Sequence, residues 1–168
     1  MQVRKPSIDA INGPAAGLGL VVALDADMRF AGAEAKFATA FASCGLIDRH
    51  GVSWLLPHLV GPAHSLDLLM SARKVMADEA EKIGLVNRTF PQENFMANVM
   101  DYARMLSETV SPRSMAVMKA QIWKALFQNF NDALEVGDSE MQKSFASADF
   151  KEGVAHFVEK RAANFTGR

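Results

Sequence analysis

The clearest chemical feature of the sequence is a set of backbone amides in a glycine-rich loop, Asn12-Gly13-Pro14-Ala15-Ala16-Gly17-Leu18-Gly19. The alternating residues 7–11 before it predict a strand, and the apolar run after it predicts a short buried helix. Gly17 and Gly19 are expected to supply backbone angles that other residues avoid. The Leu18 N–H would then lie at a helix N-terminus, where it suits an anion or a developing oxyanion. The alternative is a turn that only lets the strand and helix pack closely.

The loop resembles the segment that supplies one oxyanion-hole N–H in the enoyl-CoA hydratase/isomerase (crotonase) family. The resemblance continues in order through nearly the whole chain, in the segments Ala35-Lys36-Phe37, Gly45-Leu46-Ile47, Gly84-Leu85-Val86-Asn87, Ser111-Pro112-Arg113-Ser114-Met115, Asp149-Phe150-Lys151-Glu152-Gly153 and Phe157-Val158-Glu159-Lys160-Arg161-Ala162-Ala163-Asn164-Phe165. It implies an acyl-CoA substrate bound as a coenzyme A thioester, no permanently bound cofactor and no metal. It also implies that Gly17, Leu18 and Gly19 hold the thioester, with the Leu18 N–H stabilising an enolate. One such donor can lower a barrier by about 3–4 kcal/mol.

Proton transfer is where the sequence departs from the resembled family. The family's hydratases use a pair of glutamates, and those two positions fall at Val21 and Phe41. Neither side chain can carry a proton, although hydration needs a positioned acid or base. The departure argues against the standard hydratase mechanism.

One carboxylate, Asp48, lies in residues 45–51, a turn that lines the acyl pocket in the resembled family. Certain isomerases of that family place a single acid one residue later, at the position of Arg49. Asp48 could therefore be a lone base that moves an α or γ proton. The alternative is a turn aspartate that pairs with Arg49 or caps a helix. His50 is a second candidate base, with a surface or capping histidine as its alternative.

A cationic pair, Lys160 and Arg161, ends the last predicted helix, where positive charge complements the helix dipole. The resemblance implies a further role for Lys160, which would reach a nucleotide phosphate of coenzyme A, often across a subunit boundary. Phe157 would lie beside that phosphate-binding lysine. No metal site is predicted, because the remaining histidines are scattered along the chain: His58, His64 and His156.

The elements that must position these groups form two regions. Strands are predicted over residues 7–11, 28–31, 36–39 and 85–90, and helices predominate after residue 91. A break at 59–62 separates two helices, and Asp149 with Glu152 has the spacing of a capping box. The resemblance makes residues 1–90 the remaining, C-terminal part of a crotonase-type ββα spiral core in an α/β fold. Residues 91–168 would be a C-terminal helical trimerisation region.

Composition limits the class of protein. The 168 residues are 49% hydrophobic and 22% charged, with a net charge of −1, which is ordinary for a globular domain and gives no electrostatic footprint for nucleic acid. No apolar run reaches the length of a membrane span, and no signal-peptide pattern is present. The single cysteine, Cys44, is predicted to be a small core residue and fits a reducing compartment. A cytoplasmic location is expected, with an organelle matrix as the alternative.

Residue 1 of this chain corresponds to a point about a third of the way along the pattern of the resembled family. In the family that portion supplies strands, the other oxyanion-hole N–H and most of the coenzyme A pocket. Exposed edges and apolar faces are therefore expected, covered by a homo-oligomer (trimer or hexamer) or by a companion chain. Three functions stay open: an acyl-CoA hydratase or isomerase of fatty acid metabolism, a non-catalytic binding or assembly protein, and a fragment without independent activity.

Overall fold

The computed structural model describes residues 3–168, which form two compact units. The first unit is Ser7–Met100, and the second comprises Asp101–Arg168 together with the described residues before Ser7. The division predicted from the sequence, between residues 90 and 91, stays a prediction.

The first unit combines short strands with helices. Its strands are β1 (Ile8–Ile11), β2 (Pro14–Ala16), β3 (Met28–Gly32), β4 (Lys36–Ala38), β5 (Val75–Met76) and β6 (Arg88–Phe90). Its helices are α1 (Leu18–Leu24), α2 (Val52–Ser71), α3 (Ala77–Lys82) and the start of α4 (Phe95–Thr109), with 3₁₀ turns at Ala42–Cys44 and Gln92–Asn94. The predicted strands at 28–31 and 36–39 are confirmed as β3 and β4, to within one residue.

The strands form two small sheets. In the first, the order is β1-β3-β6 and all strands are parallel, with Ile8 opposite Met28. In the second, β2 is parallel to β4, with Ala15 opposite Phe37, and β5 is antiparallel to β4. Because a parallel pair needs a crossover connection, α1 follows β2 and returns the chain to β3. The glycine-rich loop is thereby placed where β2 passes into α1.

The core of the first unit is apolar and draws on both sheets and on α1 and α2. Its most deeply buried large side chains are Leu24, Phe37, Leu56, Val75, Leu85 and Val86. Burial of each such side chain contributes roughly 1.5–3 kcal/mol relative to leaving it exposed. This core fixes the strand ends that carry the loop.

Arg29 is a buried cation that ties three segments of the first unit together. Its Nε donates to the Leu85 carbonyl and its Nη1 to the Ala26 carbonyl, both at 2.8 Å. Its backbone N–H donates to Oδ1 of Asn87 at 2.7 Å. Burial lowers the pKa of Arg29, while the nearby Asp9 and Asp27 carboxylates act in the opposite direction. The Nε bond satisfies the Leu85 carbonyl, which would otherwise be buried without a donor.

The strand predicted over residues 85–90 begins only at Arg88. Leu85 and Val86 instead donate their N–H groups to the Ala80 carbonyl, at 2.8 and 3.2 Å, and so satisfy the end of α3. Both side chains are buried, which gave the segment the apolar pattern of a strand. The predicted break at 59–62 is confirmed, because Gly61 interrupts α2 with φ 78° and ψ 162°.

The second unit is helical, as the sequence predicts. It contains the end of α4 and then α5 (Pro112–Ala125), α6 (Phe130–Phe145) and α7 (Ala148–Glu159). Each of the last three is capped by a polar side chain that accepts the N–H of the residue three positions later. These caps are Ser111, Asn129 and Ser147. In the described part of the chain, no helix combines the length and the apolar character needed to cross a bilayer.

The predicted capping box of Asp149 and Glu152 is wrong. Ser147 caps α7 instead, accepting the Phe150 N–H at 3.1 Å. Asp149 already lies in the first turn of α7, and its buried carboxylate accepts the Ser111 hydroxyl at 2.5 Å. The two acidic residues therefore serve other contacts, which hold the segment after α7.

Candidate active site

Gly17 fixes the geometry of the glycine-rich loop. Its φ of 52° and ψ of −120° lie in a region that residues with a Cβ avoid. Its N–H donates to the Ala38 carbonyl at 3.0 Å, at the end of β4, and its carbonyl accepts the Val21 N–H at 3.1 Å. The turn from β2 into α1 is thus fixed on both sides of this glycine.

These bonds set the direction of the Leu18 N–H. In a planar trans peptide the C=O and the following N–H point in opposite directions. Since the Gly17 carbonyl points into α1, the Leu18 N–H points out of the start of that helix. No acceptor for this N–H is found among residues 3–168, and Leu18 itself is exposed. The amide is therefore free to bind an external acceptor.

Gly19 does not share the conformational role of Gly17. It lies inside α1, and its φ is not positive. A Cβ added at Gly19 would meet no atom within 4 Å. The expectation of unusual backbone angles is correct for Gly17 and wrong for Gly19. Since α1 begins at Leu18, Gly19 already has a helical backbone conformation.

Gln92 supports the loop from a distant part of the chain. Its Nε2 donates to the Asn12 carbonyl at 3.0 Å, and its Oε1 accepts the Glu34 N–H at 3.4 Å. The amide head lies against Gly32, where a Cβ would overlap with Oε1. Sequence reasoning missed this residue, because 80 positions separate Gln92 from Asn12 and no local pattern links them.

The two positions expected to match the hydratase glutamates, Val21 and Phe41, carry no ionisable group. Val21 is buried in the core on α1, with 5% of its surface exposed. Phe41 is half-buried at the start of the 3₁₀ turn, and its carbonyl accepts the N–H groups of Cys44 and Leu46. Cys44 is exposed, so the prediction that it packs in the core is wrong. It lies in a surface turn that the apolar residues around it do not cover.

Asp48 contacts the start of α2. Its Oδ2 accepts the Ser53 N–H at 3.0 Å, in the first turn of the helix. Gly51 at the N-cap has no side chain to do this. Within residues 3–168, no hydrogen bond to Asp48 Oδ1 is present, so that oxygen remains available as a base. His50 is exposed and has a positive φ of 58°.

Lys160 and Phe157 lie in the second unit. Lys160 ends α7 in a left-handed conformation, with φ 53°, and its N–H donates to the His156 carbonyl. Phe157 is exposed over 78% of its surface. Among the described residues, no acidic side chain lies within ion-pair distance of the Lys160 ammonium. The part of the chain that the structure describes also holds no group of three potential metal ligands.

Comparison with known proteins gives a consistent family. The sequence model described as "Enoyl-CoA hydratase/isomerase" matches residues 1–168. The chain is 33% identical to the 1,2-epoxyphenylacetyl-CoA isomerase of Escherichia coli K12, over 98% of this chain and 62% of that protein. It is 35% identical to the crotonyl-CoA hydratase of Syntrophomonas wolfei, over 99% of this chain and 64% of that protein. The chain thus spans less than two thirds of the length of these relatives.

Solved structures give the same result for the fold. A crystal structure of a probable enoyl-CoA hydratase/isomerase from Mycobacterium abscessus superposes with a TM-score of 0.95 at 28% identity. The match covers 99% of this chain and 65% of that one. The predicted crotonase-type α/β fold is therefore confirmed, whereas a trimerisation role for the helices stays a prediction.

Proposed function

The chain belongs to the enoyl-CoA hydratase/isomerase family, and we propose on that basis that it acts on acyl-CoA thioesters. The observation that carries the proposal is the Leu18 N–H, which leaves the start of α1 without an acceptor in the described residues. This amide donates to the thioester oxygen as negative charge develops there. Gly17 and Gly19 flank the bound thioester. No permanently bound cofactor takes part.

Isomerisation suits the residues better than hydration. The half-buried Asp48 carboxylate removes an α proton, and the electron pair of the C–H bond moves to the thioester oxygen as an enolate. The enolate collapses as a proton returns at the γ carbon, so the double bond shifts and no atom is gained or lost. Such a positioned base typically raises the reaction rate by about 10²- to 10⁴-fold. The apolar Val21 and Phe41 provide no second acid–base group for adding water.

The nucleotide end of coenzyme A is assigned to the second unit. Lys160 contacts a nucleotide phosphate, and the exposed Phe157 lies beside it. The same proposal includes a homo-oligomer, either a trimer or a hexamer, or a companion chain, and a cytoplasmic location. Large exposed apolar side chains on the helices support an interface, among them Ile122, Phe130 and Val158.

The test is turnover of a 2-enoyl-CoA and a 3-enoyl-CoA. Leu18→Pro removes the N–H at the first helical position, where proline is tolerated and no helix bond is lost. We expect this variant to lose about 10²- to 10³-fold in rate, while Leu18→Ala, which keeps the N–H, retains activity. Wild-type rates equal to those of Leu18→Pro would exclude catalysis through this amide.

Asp48 is tested with a matched pair of variants. Asp48→Asn can still accept the Ser53 N–H but cannot take a proton, whereas Asp48→Ala loses both functions. We expect both to abolish isomerisation and only Asp48→Ala to lower the free energy of unfolding, by about 0.5–2 kcal/mol. An active Asp48→Asn would leave Asp48 with its helix-capping role alone.

A non-catalytic binding or assembly protein is the second candidate. It is favoured by Val21 and Phe41 at the glutamate positions, and by the capping contact of Asp48. Calorimetry with an acyl-CoA and the mass in solution distinguish the two candidates. Tight binding without turnover supports this second function. A compact monomer that binds nothing contradicts both, and favours a fragment without independent activity.

A further inference from the structure

The segment after α7 turns back and runs along that helix. Asn164 donates its N–H to Oε1 of Glu152 at 2.6 Å. Further on, Thr166 and Gly167 donate theirs to Oδ1 of Asp149, at 2.8 and 3.0 Å. Since the later residues contact the earlier turn of the helix, the segment is antiparallel to α7. Lys160 is the residue at which the chain reverses.

Arg161 engages the two acidic side chains nearest to this reversal. Its Nη1 and Nη2 contact Oε1 and Oε2 of Glu152 at 2.5 and 2.8 Å, and its Nε donates to Oε2 of Glu159 at 2.6 Å. The Arg161 guanidinium, followed by the Asn164 N–H, lowers the pKa of Glu152 to about 2. Both carboxylates are thus occupied by one cation, in a geometry that a bidentate guanidinium holds well.

Lys160, in contrast, has no ion-pair partner among the described residues. No carboxylate in residues 3–168 pairs with its ammonium, although Glu159 is its neighbour in sequence. If Arg161 were replaced by a neutral residue, Glu152 and Glu159 would lose the cation that pairs with both of them. The formal charge of these four side chains would fall from zero to −1.

We propose that Arg161 is a positioning residue for anion binding by Lys160. By holding Glu152 and Glu159, it keeps the Lys160 ammonium available for the phosphates of the coenzyme A nucleotide. This inference rests on the proposed role of Lys160. Arg161 itself makes no contact with the ligand, and its effect on nucleotide binding is electrostatic, separate from the stability that its pair with Glu152 contributes.

The experiment is calorimetry of the whole chain with adenosine 3′,5′-bisphosphate, the nucleotide end of coenzyme A, and with a pantetheine thioester that lacks it. Arg161→Gln is expected to weaken nucleotide binding by about 5- to 10-fold at low salt, the effect of one exposed charge, and less at high salt. Pantetheine thioester binding is expected to stay unchanged. Arg104→Gln is the matched control, because Arg104 pairs only locally with Asp101 on the surface of α4.

A rescue variant separates the electrostatic role from a structural one. Glu159→Gln combined with Arg161→Gln restores the formal charge around Lys160, and should recover most of the nucleotide affinity. Unchanged binding in Arg161→Gln, or no recovery in the double variant, would overturn the inference. So would a wild-type chain that does not bind the nucleotide.

The proposed enzyme can fail separately. Nucleotide binding that depends on Arg161, in a chain without enoyl-CoA turnover, would uphold the inference and reject the catalytic function. Enoyl-CoA turnover, together with a nucleotide affinity that is the same in the wild type and in Arg161→Gln, would uphold the catalytic function and reject the inference.

Discussion

Gly17 donates its N–H to the Ala38 carbonyl at 3.0 Å, and this bond continues the pairing of β2 with β4 one residue beyond Ala16. The bond holds Gly17 in a backbone conformation that favours glycine, and so sets the direction of the next amide, that of Leu18. The candidate oxyanion donor therefore depends on a contact between two neighbouring parallel strands.

Replacing Gly17 tests this dependence. Gly17→Ala should lower the free energy of unfolding by about 1–3 kcal/mol, because alanine is strained at φ 52°. Gly19→Ala is the control, since it lies in α1 with open space around it, and should be neutral or stabilising by up to about 1 kcal/mol. Urea unfolding followed by circular dichroism measures both, and equal effects would contradict the assignment.

Arg29→Met tests the buried cation of the first unit. The change leaves the Leu85 and Ala26 carbonyls without their donors, so we expect a loss of about 2–5 kcal/mol in the free energy of unfolding. Arg104→Met removes an exposed ion pair and should cost no more than about 1 kcal/mol. If the two variants unfold at similar urea concentrations, Arg29 does not have this role.

The acid stability of the second unit should depend on Glu152. Its pKa is depressed from an ordinary 4.5 to about 2 by Arg161 and the Asn164 N–H. The stabilisation is therefore complete above pH 4.5 and is lost as the pH falls towards 2. Relative to Glu152→Gln, the wild type should lose stability across this window. Asp101→Asn serves as a control on an exposed pair, and parallel wild-type and Glu152→Gln curves would contradict the linkage.

Asp149 should add to the same acid response. Burial alone would raise the pKa of its carboxyl, but the Ser111 hydroxyl and the N–H groups of Thr166 and Gly167 lower it overall. A depressed pKa again means that stability is lost on acidification. The protection of the Thr166 and Gly167 amides against exchange, measured by NMR relative to the intrinsic rate at each pH, should fall on acidification in the wild type and be low at every pH in Asp149→Ala. Slow exchange in that variant would argue against the contact.

Self-association is tested on the exposed face of α6. Phe130 is a large apolar side chain that is exposed over 80% of its surface. Exposed apolar side chains of this kind are typical of an interface with another chain when they cluster. If this face is an interface, Phe130→Lys should lower the mass measured by light scattering, while the neighbouring Asn131→Lys should not. A monomeric wild type, or an unchanged mass in Phe130→Lys, would contradict the proposed oligomer.

Much of the fold could be predicted from local pattern. The alternation before the loop, the break at Gly61 and the helical spacing after residue 91 all correspond to observed elements. Leu85 and Val86 could not be placed correctly, because burial beneath a helix end gives the same apolar run as a strand. The capping role predicted for Asp149 is wrong because the spacing of Asp149 and Glu152 does not show that Ser147, two residues earlier, caps the helix instead.

The candidate site could be predicted only where its parts lie close together in sequence. The Leu18 amide follows from glycines beside it, and its outward direction agrees with that expectation. The supporting contacts of Gln92 and Arg161 join residues that are far apart in sequence, or depend on a chain reversal at Lys160. Such contacts are properties of the folded chain, and no spacing rule reports them.

The packing of Gln92 over Gly32 has an evolutionary consequence. A β-carbon at position 32 would overlap with Oε1 of Gln92, so the flexible end of that side chain would have to move from its present place, where it also contacts the Asn12 carbonyl. Homologous chains with alanine or serine at position 32 should therefore either turn the residue at position 92 away from it or carry a shorter side chain there.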